Sequence, residues 1–186
     1  MALRFDEAWG HFLVGGGEMP DDKPFFRFHP GAYERGSFIA SERTCQVCRR
    51  ASVWLYNASV HVAGDPPIVC ARCVADGRLS AFCCGRHVMH DADFTEDIAD
   101  VLAEEVMQRT PGFSTFNAFE WPASRGKPMV YIGHGDEAAT WENPAAARAI
   151  RKLYADEGDP LEGMMPYALV FREIDGTRHV AIMDHD

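Results

Sequence analysis

Two short cysteine pairs, Cys45-Gln46-Val47-Cys48 and Cys70-Ala71-Arg72-Cys73, stand 21 residues apart and constrain this chain more than any other feature. A C-x-x-C turn carries both sulfurs to one side of the backbone. Two such turns supply four ligands at about 2.3 Å from Zn²⁺. The N-terminus reads Met1-Ala2-Leu3-Arg4-Phe5-Asp6-Glu7, with acids where a secretory signal needs an apolar run, and no stretch reaches 18 consecutive apolar residues. The chain is therefore read as cytoplasmic, where thiols stay reduced and disulfides are disfavoured. A dithiol redox motif would use one exposed pair with a depressed thiol pKa, which leaves the second pair without a purpose. Cys45, Cys48, Cys70 and Cys73 are accordingly expected to enclose one zinc ion. Four thiolates leave no open position for water or substrate, so the metal's role is structural. Such an ion contributes an apparent ~10–16 kcal/mol in zinc-finger peptides, as much as a whole domain's net stability.

Cys83-Cys84, His87 and His90 follow at three-residue steps and offer either a second metal site or a substitute ligand for the first. The preferred reading packs one of these cysteines as a small hydrophobe and leaves the histidines in solvent.

The pattern beyond the cysteines predicts an α+β fold. Alternating apolar residues at Phe25-Phe26-Arg27-Phe28-His29-Pro30 suggest a strand ended by Pro30, and further strands are expected at Ser52–Tyr56, Val60–Val62 and Met129–Ile132. Phe94, Ile98, Val101, Leu102 and Val106 fall at helical spacing, predicting a helix from an Asp93 cap to Arg109. A second helix should start with Asn143 as cap and Pro144 in its first position. It should bury Ala147, Ile150, Leu153 and Tyr154 and exit at Gly158. Tyr167–Arg172 and Arg178–Met183, joined through Asp175-Gly176, read as a terminal β-hairpin. The expected architecture is a zinc-ribbon-like N-terminal module, residues 25–90, packed as one unit on a mixed α/β C-terminal half, residues 91–186. Residues 1–24, with Gly15-Gly16-Gly17 and a Pro-Asp-Asp-Lys-Pro linker, form a flexible extension.

Charge separates the two halves. The chain is 47% apolar, enough to bury a core, and carries a net charge of −10, the wrong sign for wrapping nucleic acid or lying on an anionic membrane. Residues 91–186 hold 8 basic and 19 acidic side chains, so the second half carries the whole excess. A basic protein partner is expected, with Asp97, Asp100, Glu104, Glu137, Glu142, Asp156, Glu157 and Asp159 as candidate contacts. A secondary reading, a zinc-ribbon nucleic-acid or regulatory module, draws on Arg43, Arg49, Arg50, Arg72, Arg78 and Arg86 around the knuckles.

No nucleophile elbow, H-E-x-x-H, dinucleotide-binding glycine pattern or EF-hand loop is present, so the chain reads as non-enzymatic. His29 and His134, the latter within Ile132-Gly133-His134-Gly135-Asp136, are the isolated candidates for chemistry near a cleft, and a structural role is preferred for both. Phe113, Phe116, Phe119 and Trp121 are expected to face the core.

Phe28-His29-Pro30 followed by Gly36-Ser37-Phe38, the two knuckles, Val74-Ala75-Asp76-Gly77 and Arg109-Thr110-Pro111-Gly112-Phe113 together resemble the CbrC family of bacterial colicin-tolerance proteins over about residues 25–135. That resemblance implies bacterial origin, metal binding and protection from a protein toxin. The family's further C-x-x-C-Gly in the C-terminal hairpin is replaced here by Phe171–Gly176, so no tail metal site is expected. An immunity-like factor that blocks a toxin such as a nuclease is the resulting functional expectation.

Overall fold

The computed structural model describes residues 23–58, 60, 62, 65–84, 93–116, 120–158 and 167–184. Its largest sheet is an antiparallel meander of β7 (Val130–His134), β8 (Ala168–Arg172) and β9 (His179–Met183), in that order. Strict alternation lets this sheet bury both faces. Tyr131, Leu169 and Phe171, with Val180 and Ile182, join Val106 and Leu102 of α3 (Asp100–Arg109) on one side. On the other, Ala168, Val170, Ile132, Ala181 and Met183 receive Ile150 and Tyr154 of α5 (Pro144–Glu157).

Helix α5 runs where its end signals place it. The Asn143 side chain accepts from the backbone N–H of Ala145 at 3.0 Å and of Ala146 at 3.2 Å, Pro144 fills the first position, and Gly158 closes the helix at φ +77°. Short α4 (Ala138–Glu142) precedes it. The terminal hairpin is β8–β9, turned through residues 173–178.

The first half is built from smaller pieces. Strands β1 (Phe38–Ala40) and β2 (Trp54–Tyr56) pair antiparallel, and helices α1 (Ala71–Ala75) and α2 (Arg78–Phe82) follow the second cysteine pair. Phe26, Phe38, Leu55, Val69, Val74 and Leu79 form their core, with Tyr33 and Trp54 at its edge.

Arg109-Thr110-Pro111-Gly112-Phe113 is the seam between the halves. The Ser37 hydroxyl donates to the Gly112 carbonyl at 2.9 Å, and the Gly112 N–H donates to the Tyr56 hydroxyl oxygen at 2.8 Å. The Ser80 hydroxyl donates to the Gln108 carbonyl, and the Tyr131 N–H to the Phe28 carbonyl. Arg27 Nε donates to Glu105 across the same line.

Several expectations are corrected. Residues 25–30 form no strand: Phe26 and Phe28 are buried, but they enter turns that lead into the loop 30–36. Residues 60 and 62 are not in a strand either. The helix expected from Asp93 starts at Asp100, because Asp93–Phe94 is β3, paired in parallel with β4 (Glu120–Trp121). Thr95 fastens that stretch by accepting from the Ala123 N–H at 2.9 Å, and Ala99 takes the cap position without a side-chain bond. Val101 consequently faces solvent, 61% exposed. The tight hairpin of β5 (Ala123–Ser124) and β6 (Lys127–Pro128) was not anticipated. Of the aromatic series, Trp121 is buried and Phe113 half-buried, Phe116 is 68% exposed, and Phe119 lies outside the described residues. So do residues 1–22 of the expected extension.

Candidate metal centre

The four knuckle cysteines converge. Their Sγ atoms all lie within 4.8 Å of one another, with Cys45–Cys73 and Cys48–Cys70 both at 3.8 Å. A tetrahedron with bonds of about 2.3 Å has an edge of about 3.8 Å, so the sulfurs fit a zinc-sized cation. Cys45, Cys70 and Cys73 are buried and Cys48 is half-buried.

Local backbone chemistry places them. The first pair sits in a tight turn in which the Cys45 N–H donates to the Arg50 carbonyl and the Arg49 N–H to the Cys45 carbonyl, both at 2.9 Å, closed by a Thr44–Ala51 bridge. The residue after the second cysteine must turn left-handed, and Arg49 does so at φ +61° where glycine would be the unstrained choice. Cys70 caps α1 and Cys73 lies in its first turn, so the second pair rides on a helix start. A Leu55–Cys70 bridge and the Tyr56 N–H to Val69 carbonyl bond tie that start to β2.

Four thiols this close oppose one another's ionisation. Burial pushes Cys70 up to about 11, with the Cys45 charge adding to it. Cys73 is driven higher still by burial and by Cys70. At Cys45 burial acts upward too, but backbone N–H groups of Cys48, Cys70 and Val47 outweigh it and bring the thiol down to about 7. A divalent cation held by the four sulfurs would ease this conflict by offsetting part of the thiolate charge from the cluster's centre. The remaining cysteines take no part: Cys83 packs on the module's core and Cys84 is exposed. His87 and His90 lie outside the described residues.

Sequence distance concealed a second cluster. His29 is fully buried, with its Nδ1 donating to the Pro111 carbonyl at 3.1 Å and its ring edge-on to Tyr131 and Phe113. Burial lowers its pKa to about 4 against the upward pull of the Pro111 bond. His134 is engaged at both nitrogens. Nε2 donates to the Ser114 carbonyl at 2.6 Å, which leaves Nδ1 to accept from the Tyr131 hydroxyl at 2.6 Å. Burial, then the Glu137 charge, pushes the Tyr131 phenol up and keeps it a donor. Glu137 completes the group through an ion pair with Arg35 at 3.1 Å.

A register shift between Tyr131 and Gly133 in β7 aims these side chains. Gly133, at φ +146°, is needed there: a Cβ would lie 2.7 Å from both Arg35 Nη2 and Thr140 Oγ1, and 2.9 Å from Glu137 Oε2. The chain's own polar groups thus occupy the space that the glycine opens.

The acidic candidates are not one surface. Asp97, Asp100 and Glu104 are exposed on or just before α3, whereas Glu142, Asp156 and Glu157 are exposed on α4 and α5, across the sheet. Asp156 is paired with Lys152, Glu137 with Arg35, and Asp159 lies outside the described residues. Arg43, Arg49, Arg50, Arg72 and Arg78 are exposed around the metal centre, Arg78 paired with Asp76 at 3.7 Å, and Arg86 lies outside the described residues.

Fold and centre together define a mixed α+β protein with a four-cysteine cluster suited to a metal ion. The chain belongs to the uncharacterised protein family UPF0167, whose model matches residues 23–159. It is similar to UPF0167 protein Mb2317 of Mycobacterium bovis, 27% identical over 158 residues covering 81% of each chain. UPF0167 protein PA1536 of Pseudomonas aeruginosa is 32% identical over 107 residues, 53% of this chain and 56% of that one. No solved structure matches. These findings correct the resemblance to CbrC drawn from the motifs: family model and relatives alike place the chain in UPF0167. Among the described residues, no helix is long and apolar enough to cross a membrane.

Proposed function

We propose that this protein is a non-enzymatic, cytoplasmic binding protein, shaped by one structural zinc ion, whose acidic half engages a basic protein partner such as a toxin nuclease domain. The observation that carries the reading is the closed set of four converging sulfurs. Such a shell holds structure together and leaves no site at the metal for substrate. The histidines considered for chemistry support the same view, since His134 spends both nitrogens on its neighbours and His29 is sealed from solvent. The excess of carboxylates in residues 91–186 favours steering toward a basic surface.

Calorimetric titration of the zinc-loaded chain with a basic toxin nuclease domain, at about 50 and 300 mM salt, tests this. Saturable binding that weakens at the higher salt is expected. Absence of binding at the lower salt would overturn the partner assignment. Turnover of a substrate that is lost with a cleft substitution, in protein of unchanged zinc content, would overturn the non-enzymatic one.

A further inference from the structure

The seam encloses a cleft of about 790 Å³ with one wall from each half: Arg35, Ser37 and Asn57 from the module, Phe113, Ser114 and Glu137 from the acidic half. Ligand sites favour such junctions. This one also stands over an under-satisfied region. The buried side-chain polar atoms without a partner among the described residues are His29 Nε2, Arg35 Nε and Thr140 Oγ1. All three belong to the cluster around Gly133 and Glu137. Folded domains leave few such groups, and here they gather around Arg35, which lines the cleft.

The charge in the cleft selects the ligand. Glu34 and Glu137 face a single cation, Arg35, which Glu137 already holds. An adjoining hollow of about 350 Å³ shares Ser114, His134 and Glu137 and adds Asp136 and Asp184. Glu34 and Asp136 are both exposed and make no ion pair with a described residue. An anion would meet net negative charge here, so a cation is favoured. Neutral oxygens on Ser37, Asn57 and Ser114 can accept from several N–H groups held in one plane, and the half-buried Phe113, stacked on Tyr131, adds apolar lining. A planar guanidinium, with five donors, matches that lining better than a compact ammonium.

We infer that the cleft between the metal module and the acidic half binds an arginine side chain of the protein's partner, beside Glu34 and Glu137 of the cleft and within reach of the Asp136 charge in the adjoining hollow. This rests on the proposed binding of a basic protein and names where that protein is gripped. It also links the cysteine cluster to the cleft, because the Leu55–Cys70 bridge holds β2, and β2 leads directly into Asn57 on the cleft wall.

The test is a titration of the zinc-loaded full chain with acetyl-arginine amide, acetyl-lysine amide and the neutral isostere acetyl-citrulline amide, read by backbone amide NMR. Arginine should give saturable shifts at Asn57, Ser114 and Thr115. Glu34→Gln and Asp136→Asn should each weaken them about fivefold, the size of a rim charge pair. Glu157→Gln, on the far side of the sheet, should change nothing. Citrulline or lysine binding as tightly as arginine would overturn the inference, as would shifts that persist undiminished in both variants. If the basic nuclease domain still binds while arginine leaves the cleft unshifted, the inference falls and the broader reading stands.

Discussion

The two halves of this molecule reach stability by different routes. Residues 93–184, beside four two-residue strands and the short α4, build their core on length: strands of five residues and helices of ten and fourteen, with apolar side chains on both faces of a three-stranded sheet. Residues 23–84 have strands of three residues and helices of five, too short to hold themselves together by ladder and turn alone. Besides a small apolar core, they have four sulfurs where the 44–51 turn, the start of α1 and β2 meet. A metal ion held by them would supply cohesion that elements this short lack.

That contrast breaks first at the cysteines. Cys45→Ser with Cys48→Ser should abolish bound zinc and unfold the module, since the ion's contribution is on the order of 10 kcal/mol. Hydrogen exchange should then show protection lost at Leu55, Val69 and Val74 and largely kept at Leu169 and Phe171. Simultaneous loss in both halves would show that the acidic half has no stability of its own.

A smaller effect belongs to His29, which sits at the boundary. Its folded pKa of about 4 lies below the usual 6.5. As pH falls below about 6.5 the unfolded chain takes up a proton that the folded chain refuses, so stability drops until the folded pKa is reached. Integrated over that window the loss is about 3 kcal/mol. Denaturant melts of the wild type and His29→Phe between pH 7 and 4 should diverge by that amount, with the variant's curve flatter. Parallel curves would mean that His29 is not buried neutral.

The sequence made the two halves unequally legible, for physical reasons. Cysteine spacing is a local signal for a local turn, and Asn143-Pro144 with Gly158 states a helix start and stop through nearest-neighbour chemistry. The four sulfurs converge and the helix runs between those two signals. The Phe25–Pro30 alternation misled because Phe26 and Phe28 are buried in different clusters by a turning chain. Asp93 looked like a cap, but pairing with the remote Glu120–Trp121 segment took that stretch into a strand. The His29, Arg35, His134 and Glu137 cluster has no contiguous pattern. It depends on a break in the β7 register, for which Gly133 beside His134 is the single clue in the sequence.

Finer contrasts follow from the ends of elements. Asn143→Ala removes two cap bonds and should cost about 1 kcal/mol in a melt of the acidic half without altering zinc content. Arg49→Gly should act in the opposite direction. It relieves the left-handed backbone beside Cys48 and should raise stability by about 0.5–1 kcal/mol, provided that zinc stoichiometry is unchanged. A loss of stability there would mean that the arginine side chain contributes more than its backbone costs.

The most direct trial is X-ray absorption at the zinc edge on purified chain, combined with elemental analysis. One zinc per chain with four sulfur neighbours at about 2.3 Å is the predicted result. A shell containing oxygen or nitrogen, or cysteines joined as disulfides around no metal, would contradict it.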